Sequence, residues 1–486
     1  MQFQILSHAG LLVQGSGKTL LFDPWLVGST YWRSWWNYPP VERDLVESLH
    51  PDFIYLTHIH WDHFQGTSLR RFPRETPIII PMDTNPRLRG DLVKMGFARI
   101  HELPHGGTFD LAPGFRLTSW QFYPFTDSAA VVECEGTVLF NANDAKFMGA
   151  PLGQILRRHG EFDFVFRSHS SANPRTCFDF MDKPEFRKED PEGYLRAFAA
   201  FARATGARYA IPFASNHCYL HKEVFHLNDG VITPAQVEAY CETHGLRGTE
   251  VKVMVSGDSW SREAGFSKSR ADFFTNRSLL LQEYALNKSV PLEKFYALEA
   301  ATDVSLSQVS AYFRRFAEAL PWAARQLFRN RRLAFRVTGA RTRHFEINLH
   351  RGEAREVGGL DDIRHPLQVH TSTYIFRQCM ARDLFLYLGI SKRVLYRCRQ
   401  SDRKYLLLVE HFFNMYECGQ LPLRRLFTWR FLHAWLPRWR ELLLYARIAM
   451  GKAAGKGFRM EEFLPPRPTS RRISGRMRKP ELQETA

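Results

Sequence analysis

Short apolar runs separated by turn residues dominate the first half of the chain. KTLLFD, FIYLT, PIIIP, FRLTSWQF, AAVVEC, TVLFN, FDFVF, RYAIPF and VKVMVS are each rich in β-branched and aromatic residues and each short enough to be a buried strand. Amphipathic stretches such as PEGYLRAFAAFARAT at 191–205 lie between them, so the pattern over 1–260 predicts an α/β domain with a large buried sheet content. From 261 to 280 the chain is polar and unpatterned, which predicts a linker. Over 281–410 a small α+β domain is expected, with a helix near 305–320, strands at RLAFRVTG, RHFEINLH and PLQVHTS, and a helix over 373–389. Residues 411–465 read as a helical basic segment and 466–486 as a disordered basic tail.

The length of 486 residues exceeds what one hydrophobic core usually spans, in keeping with several domains. The net charge of +16 is concentrated at one end: residues 421–486 hold 15 Lys and Arg against 5 Glu, so the basicity describes a tail more than an active domain. No nucleic-acid-binding module is recognisable, and no specific nucleic-acid partner is expected. No apolar run reaches the ~18 to 20 residues of a membrane span and no basic leader opens the chain, so a cytoplasmic protein is expected. The tail has two further readings. Trp429, Trp435 and Trp439 interleaved with Arg430, Arg438 and Arg440 suit peripheral contact with the inner face of a membrane, whereas Pro422 and Pro437 shorten the helices and suit a pair that packs on the domain. The seven cysteines are scattered without a C-x-x-C pair, which argues against a disulfide framework or a cysteine-rich zinc module.

Chemistry concentrates at THIHWDHF, residues 57–64. Alternate residues of an extended segment point the same way, so a strand ending at Thr57 aims His58 and His60 together, and a turn brings Asp62 and His63 to a neighbouring point. Imidazoles with one carboxylate suit zinc, iron or manganese, and there are too few oxygen donors for a calcium loop. Trp32 and Arg33, in TYWRSWWNYPP, are candidates for binding a sugar or base together with a phosphate, or else for core packing.

The H-x-H-x-D-H stretch resembles the signature of the metallo-β-lactamase fold, a four-layer αββα sandwich that binds one or two metals. More narrowly, SHAGLLVQGSGKTLLFDPWLVGSTYWRSWWNYPP, LTHIHWDHF, DSAAVVECEGTVLFNANDA and RYAIPFASNHCYLH resemble the catalytic domain of the CMP-N-acetylneuraminate hydroxylases and their bacterial relatives. The strand–strand–helix pattern of 332–389 is faintly similar to a sterol-carrier-type module. The resemblance implies two divalent metal ions, iron or zinc, with His58, His60, Asp62, His63, Asp144 and His221 as ligands and Asp144 shared between them. Asp62 could also act as a base. Asp23 is matched to the acidic residue before the loop and would orient a histidine; His8 either lines the same mouth or is a buried structural histidine.

Two departures stand out. The family's third motif normally supplies a histidine, where this sequence has Tyr123; His169 is the alternative replacement, or only one metal site is complete. The hydroxylases also carry a Rieske domain ahead of the sandwich, whereas this chain begins almost at the first sandwich strand. Cys218 and His221 form a lone C-x-x-H, so no intrinsic iron–sulfur cluster is expected, and electrons would come from a separate Rieske or ferredoxin-type donor. Three functions follow: hydroxylation of a sugar-like or nucleotide-sugar-like, phosphate-bearing substrate; metal-dependent hydrolysis of a phosphodiester, lactone or amide bond; or, least favoured, binding by a degenerate site.

Overall fold

The computed structural model describes residues 1–465 apart from 83–85, 123–126, 171–173, 184–189, 247, 270 and 454–457. Two large sheets face each other. The first has eight strands in the order Gly265–Ser267, Ser259–Ser261, Gln2–Ile5, Leu11–Gly15, Lys18–Phe22, Phe53–Tyr55, Ile78–Pro81 and Ile100–Leu103. The second has seven: Glu250–Val251, Tyr209–Phe213, Phe164–Ser168, Thr137–Asn143, Ser128–Cys134, Phe115–Gln121 and Gly107–Ala112.

Strand periodicity explains why both sheets read as nearly continuous apolar runs. Leu11, Val13, Leu20, Phe22 and Ile79 point inward to a core shared with Leu117, Val132, Leu139, Phe164 and Phe166 of the facing sheet. Their neighbours Leu12, Leu21, Ile78 and Ile80 point outward, where Leu88 and Leu92 of the helix Arg87–Lys94 cover them. On the far side, Val131, Phe140 and Val165 pack under the helices Gly149–His159, Pro191–Thr205 and Pro234–His244. Both faces of each sheet are therefore covered, giving the αββα layering.

A third, six-stranded sheet runs Phe178–Phe180, Val394–Cys398, Leu367–Ser372, Leu333–Thr338, Thr342–Asn348 and Glu353–Val357. It packs against the helices Leu306–Ala319, Thr373–Arg382 and Arg403–Glu417 through Phe313, Phe316, Phe335, Phe376 and Phe413. Its edge strand, Phe178–Phe180, comes from inside the sandwich half of the sequence and pairs in parallel with Val394–Cys398. The polar stretch expected as a linker carries the strand Gly265–Ser267, paired with Ser259–Ser261 at the edge of the first sheet, and then the start of the helix Arg277–Asn287. Its polarity reflects an edge hairpin with one face in solvent.

The C-terminal helices Trp429–Trp435 and Trp439–Ala453 lie against the sandwich, where Leu444 joins the core beneath Gly149–His159. No helix among the described residues is long and apolar enough to cross a membrane. Residues 466–486, expected to be a disordered tail, lie outside the described residues.

Candidate metal centre

The strands Lys18–Phe22, Phe53–Tyr55 and Ile78–Pro81 are parallel, so Asp23 and the loop 57–63 emerge at the same end of the first sheet. In the second sheet, Thr137–Asn143 runs parallel to Phe164–Ser168 and delivers Asp144 to the same mouth. The register of this pair shifts between Asn141 and Asn143, and Asn143 takes a left-handed φ of 34°. A bulge of this kind re-aims the next side chain. Ser128 opens an antiparallel strand, so Asp127 stands just before it at that end too.

Three overlapping groups result, each of two imidazoles and one carboxylate with all ligand atoms within 4.8 Å of one another: His58, His60 and Asp127; His8, Asp62 and His63; His58, His63 and Asp144. His58 Nε2 lies 2.8 Å from His60 Nδ1, as two nitrogens aimed at one ion would. His63 Nε2 lies 3.1 Å from Asp144 and 3.6 Å from Asp62.

Asp23, fully buried, fixes the other ends of these rings. Its Oδ1 accepts from Thr57 N (2.8 Å), and its Oδ2 accepts from the Thr57 hydroxyl (2.7 Å) and His63 Nδ1 (2.8 Å). With its proton given to Asp23, Thr57 Oγ1 can accept from His58 Nδ1 at 2.9 Å. One carboxylate thus holds the protons of both rings on Nδ1 and leaves both Nε2 lone pairs facing the mouth.

The electrostatics suit a cation. Burial depresses the basicity of His58 and His60, favouring neutral imidazoles with available lone pairs. Asp23, Asp62 and Asp144 around His63 overcome its burial and hold it well above the usual histidine range. Burial and the neighbouring Asp144 push Asp127 up to about 7. This cluster favours held positive charge, and divalent ions would supply it in place of protons. His8 is buried, its Nε2 lies 3.1 Å from Asp62, and its Nδ1 has no hydrogen-bond partner among the described residues. A buried imidazole with a nitrogen this close to a carboxylate can share an ion with it, as the His8, Asp62 and His63 group would. The donor set therefore fits a pair of divalent ions.

The remaining expected residues fall in different places. His221 pairs with Glu299 (3.3 Å), which is clamped by Arg393, and none of the three groups contains it. The strand His217–Tyr219 ends before it, so the chain has turned by that point. His217, from the same stretch, lies closer to the cluster, with its ring stacked on Trp35 at 3.8 Å and 5.5 Å from that of His8, but it too belongs to none of the three groups. Tyr123 lies outside the described residues. His169 is buried one residue beyond the strand Phe164–Ser168 and belongs to none of the groups. Trp32 is buried against Trp61, and Arg33 reaches Ser29 at 3.3 Å. Asp127 escaped the sequence reading. Its signal was there: it is the only carboxylate in the apolar stretch between Asp110 and Glu133.

The second half of the chain holds the loop from outside. The Tyr387 hydroxyl donates to Ile59 O (3.0 Å), Tyr387 packs on Trp61 (4.6 Å), and Trp35 Nε1 donates to Ile390 O (3.1 Å). Tyr31 donates to Asp62 and accepts from Trp61 N.

A helix-covered double sheet with an H-x-H-x-D-H loop at its strand ends defines a metallo-β-lactamase-fold domain, and residues 18–173 match the model of the beta-lactamase superfamily domain. Among curated proteins the chain is similar to a Mycobacterium tuberculosis protein assigned by name only as a Rieske 2Fe-2S iron-sulfur protein, at 29% identity over 49% of this chain and 48% of that one. It is also similar to the mouse cytidine monophosphate-N-acetylneuraminic acid hydroxylase, at 29% identity over 44% of this chain and 39% of that one. The chain thus spans about half the length, or less, of these relatives. Among solved structures, an isothiocyanate hydrolase from Delia radicum gut bacteria aligns over 54% of this chain and 99% of its own (TM-score 0.40, 15% identity). The β-hydroxylase CmlA aligns over 53% of each (TM-score 0.38, 16% identity).

Proposed function

We propose that this protein is a dinuclear metal-dependent oxygenase that hydroxylates a small, sugar-like or nucleotide-sugar-like substrate. The observation that carries the reading is the set of three overlapping His–His–carboxylate groups. In this assignment His58, His60 and Asp127 hold one ion, His8, Asp62 and His63 the other, and Asp144 lies between them. Two imidazoles and a carboxylate that leave positions open are the donor set of non-haem iron oxygenases, and Asp127 beside His58 and His60, in place of a third imidazole, moves the site towards iron. Similarity to a hydroxylase and to a Rieske-named protein supports the same side.

Bound iron would supply dioxygen activation. The chain's own residues do the rest: Asp23 and Thr57 fix the imidazole tautomers, Tyr31 donates to Asp62, and Tyr387 packs on Trp61 and holds the Ile59 carbonyl of the loop. Hydroxylation of a C–H bond by dioxygen consumes two electrons and two protons and releases one water, so the reading requires a one-electron donor of the Rieske or ferredoxin type. Metal analysis of protein purified without added metal tests it. About two irons per chain and turnover that depends on oxygen and a reduced donor are expected. Two zincs with oxygen-independent cleavage of a phosphodiester, lactone or amide would overturn it in favour of a hydrolase.

A further inference from the structure

Beside the cluster lies a cavity of about 410 Å³ that none of its residues explains. Lys146, two positions after Asp144, and Arg167, near the end of the strand Phe164–Ser168, open on it from the strand ends that carry the centre. Phe198 and Tyr194 of the helix Pro191–Thr205 and Phe458–Glu461 close the other walls.

Arg167 is the unusual residue. It is 4% exposed, its guanidinium lies 4.0 Å over the Phe201 ring, and one terminal nitrogen reaches the Met460 sulfur at 3.1 Å. Its Nε and Nη1 are buried with no hydrogen-bond partner among the described residues. A buried charge with two unfilled donors is expensive unless an anion completes it. The nearby acids do not: Asp190 and Glu461 line the cavity but face Arg196, at 3.3 and 3.9 Å, and Asp144 belongs to the His/Asp cluster. Lys146 and Arg459, both exposed, add positive charge to the same walls.

We propose that this cavity seats an oxyanion of the substrate, a phosphoryl or carboxylate group, with Arg167 Nε and Nη1 as its fork of donors and Lys146 and Arg459 as supporting cations. The fork matches two oxygens of either group. The inference rests on reading the neighbouring cluster as a metal centre for a small-molecule substrate, and it names the substrate class as anionic.

Calorimetric titration of the full chain with inorganic phosphate and, separately, with acetate tests it. Because phosphate can also bind metal, the titration is repeated in His60→Ala, with metal content measured on every sample. Saturable binding of one anion per chain is expected in the wild type and in His60→Ala, weakened about tenfold or more in Arg167→Met and about threefold in Lys146→Met and Arg459→Ala. Tighter acetate than phosphate would assign a carboxylate, and the reverse a phosphoryl group. Binding that vanishes in His60→Ala but survives in Arg167→Met would put the anion on metal and overturn the proposal. So would unchanged affinity in both exposed-residue variants, which are independent of any folding defect in Arg167→Met. Anion binding without metal in the wild type would support this site and sink only the metal reading.

Discussion

Replacing Asp23 by asparagine tests the logic of the centre without touching a proposed ligand. The amide oxygen would stay where Oδ1 now accepts from Thr57 N, because that partner can only donate. The amide nitrogen would then occupy the place of Oδ2, which now receives the Thr57 hydroxyl and His63 Nδ1. A donor there must be met by acceptors, so His63 shifts its proton from Nδ1 to Nε2, the nitrogen facing Asp144 at 3.1 Å. Thr57 turns its own proton towards His58 and favours the same shift in that ring. Protonated Nε2 atoms cannot bind metal, so affinity should fall about 10- to 100-fold, or ~1.4 to 2.7 kcal/mol. Loss of charge-assisted hydrogen bonds costs about 2 kcal/mol of fold stability as well. Competition against a chelator gives the affinity, and nitrogen NMR of the imidazoles gives the tautomer. An Asp23→Asn protein that binds metal within about twofold of wild type, still protonated on Nδ1, would refute the reasoning.

Other expectations follow from the same contacts. Asp127→Ala should lower bound metal from about two ions per chain to about one while His221→Ala leaves it unchanged, as elemental analysis would show; equal loss in both would return His221 to the centre. Tyr387→Phe should cost about 1 kcal/mol by stranding the Ile59 carbonyl, lower Tm by a few degrees and loosen metal retention, measured by calorimetry and dialysis. Burial pushes Glu417 up to about 8, although Phe385 N and Leu386 N donate to it. Between its unfolded value near 4.5 and 8 the native state holds a proton that the unfolded chain has lost. Its contribution is therefore full below that window and declines by about 1.4 kcal/mol per pH unit across it. Thermal melts from pH 5 to 9 should show this slope, and Glu417→Gln should flatten it.

The parts of the proposed site that are legible in the sequence are those written locally. His58, His60, Asp62 and His63 follow one buried strand at fixed spacing, and Asp144 ends another, so alternation and strand ends carried them. The rest depends on which distant residues a sheet brings together. His8 lies some fifty residues before the histidine loop and meets Asp62 only because the strand Gln2–Ile5 sits two places from Lys18–Phe22 in the sheet. Which of His217 and His221 lies nearer the cluster depends on where a three-residue strand stops, which no periodicity reveals over so short a run. Asp127 is harder to read because the family pattern points to a histidine near that place, whereas a carboxylate there stands within ligand distance of His58 and His60. In the fold, sandwich strands were readable from their apolar runs, while the pairing of Phe178–Phe180 with Val394–Cys398 joins segments too far apart for any local pattern.

The clamp of Tyr387 on Ile59 sets an order of events during synthesis. The histidine loop leaves the ribosome more than three hundred residues before its clamp does, an interval of roughly 15 to 65 s at ~5–20 residues per second. The edge strand at 178–180 waits for a partner that lies a little over two hundred residues later. Until the far half arrives, the nascent chain carries the sandwich strands without the third sheet, with Trp61 uncovered by Tyr387 and the strand 178–180 unpaired, the kind of surface that chaperones hold. A chain ended at residue 380, which lacks both Tyr387 and the strand Val394–Cys398, should therefore aggregate.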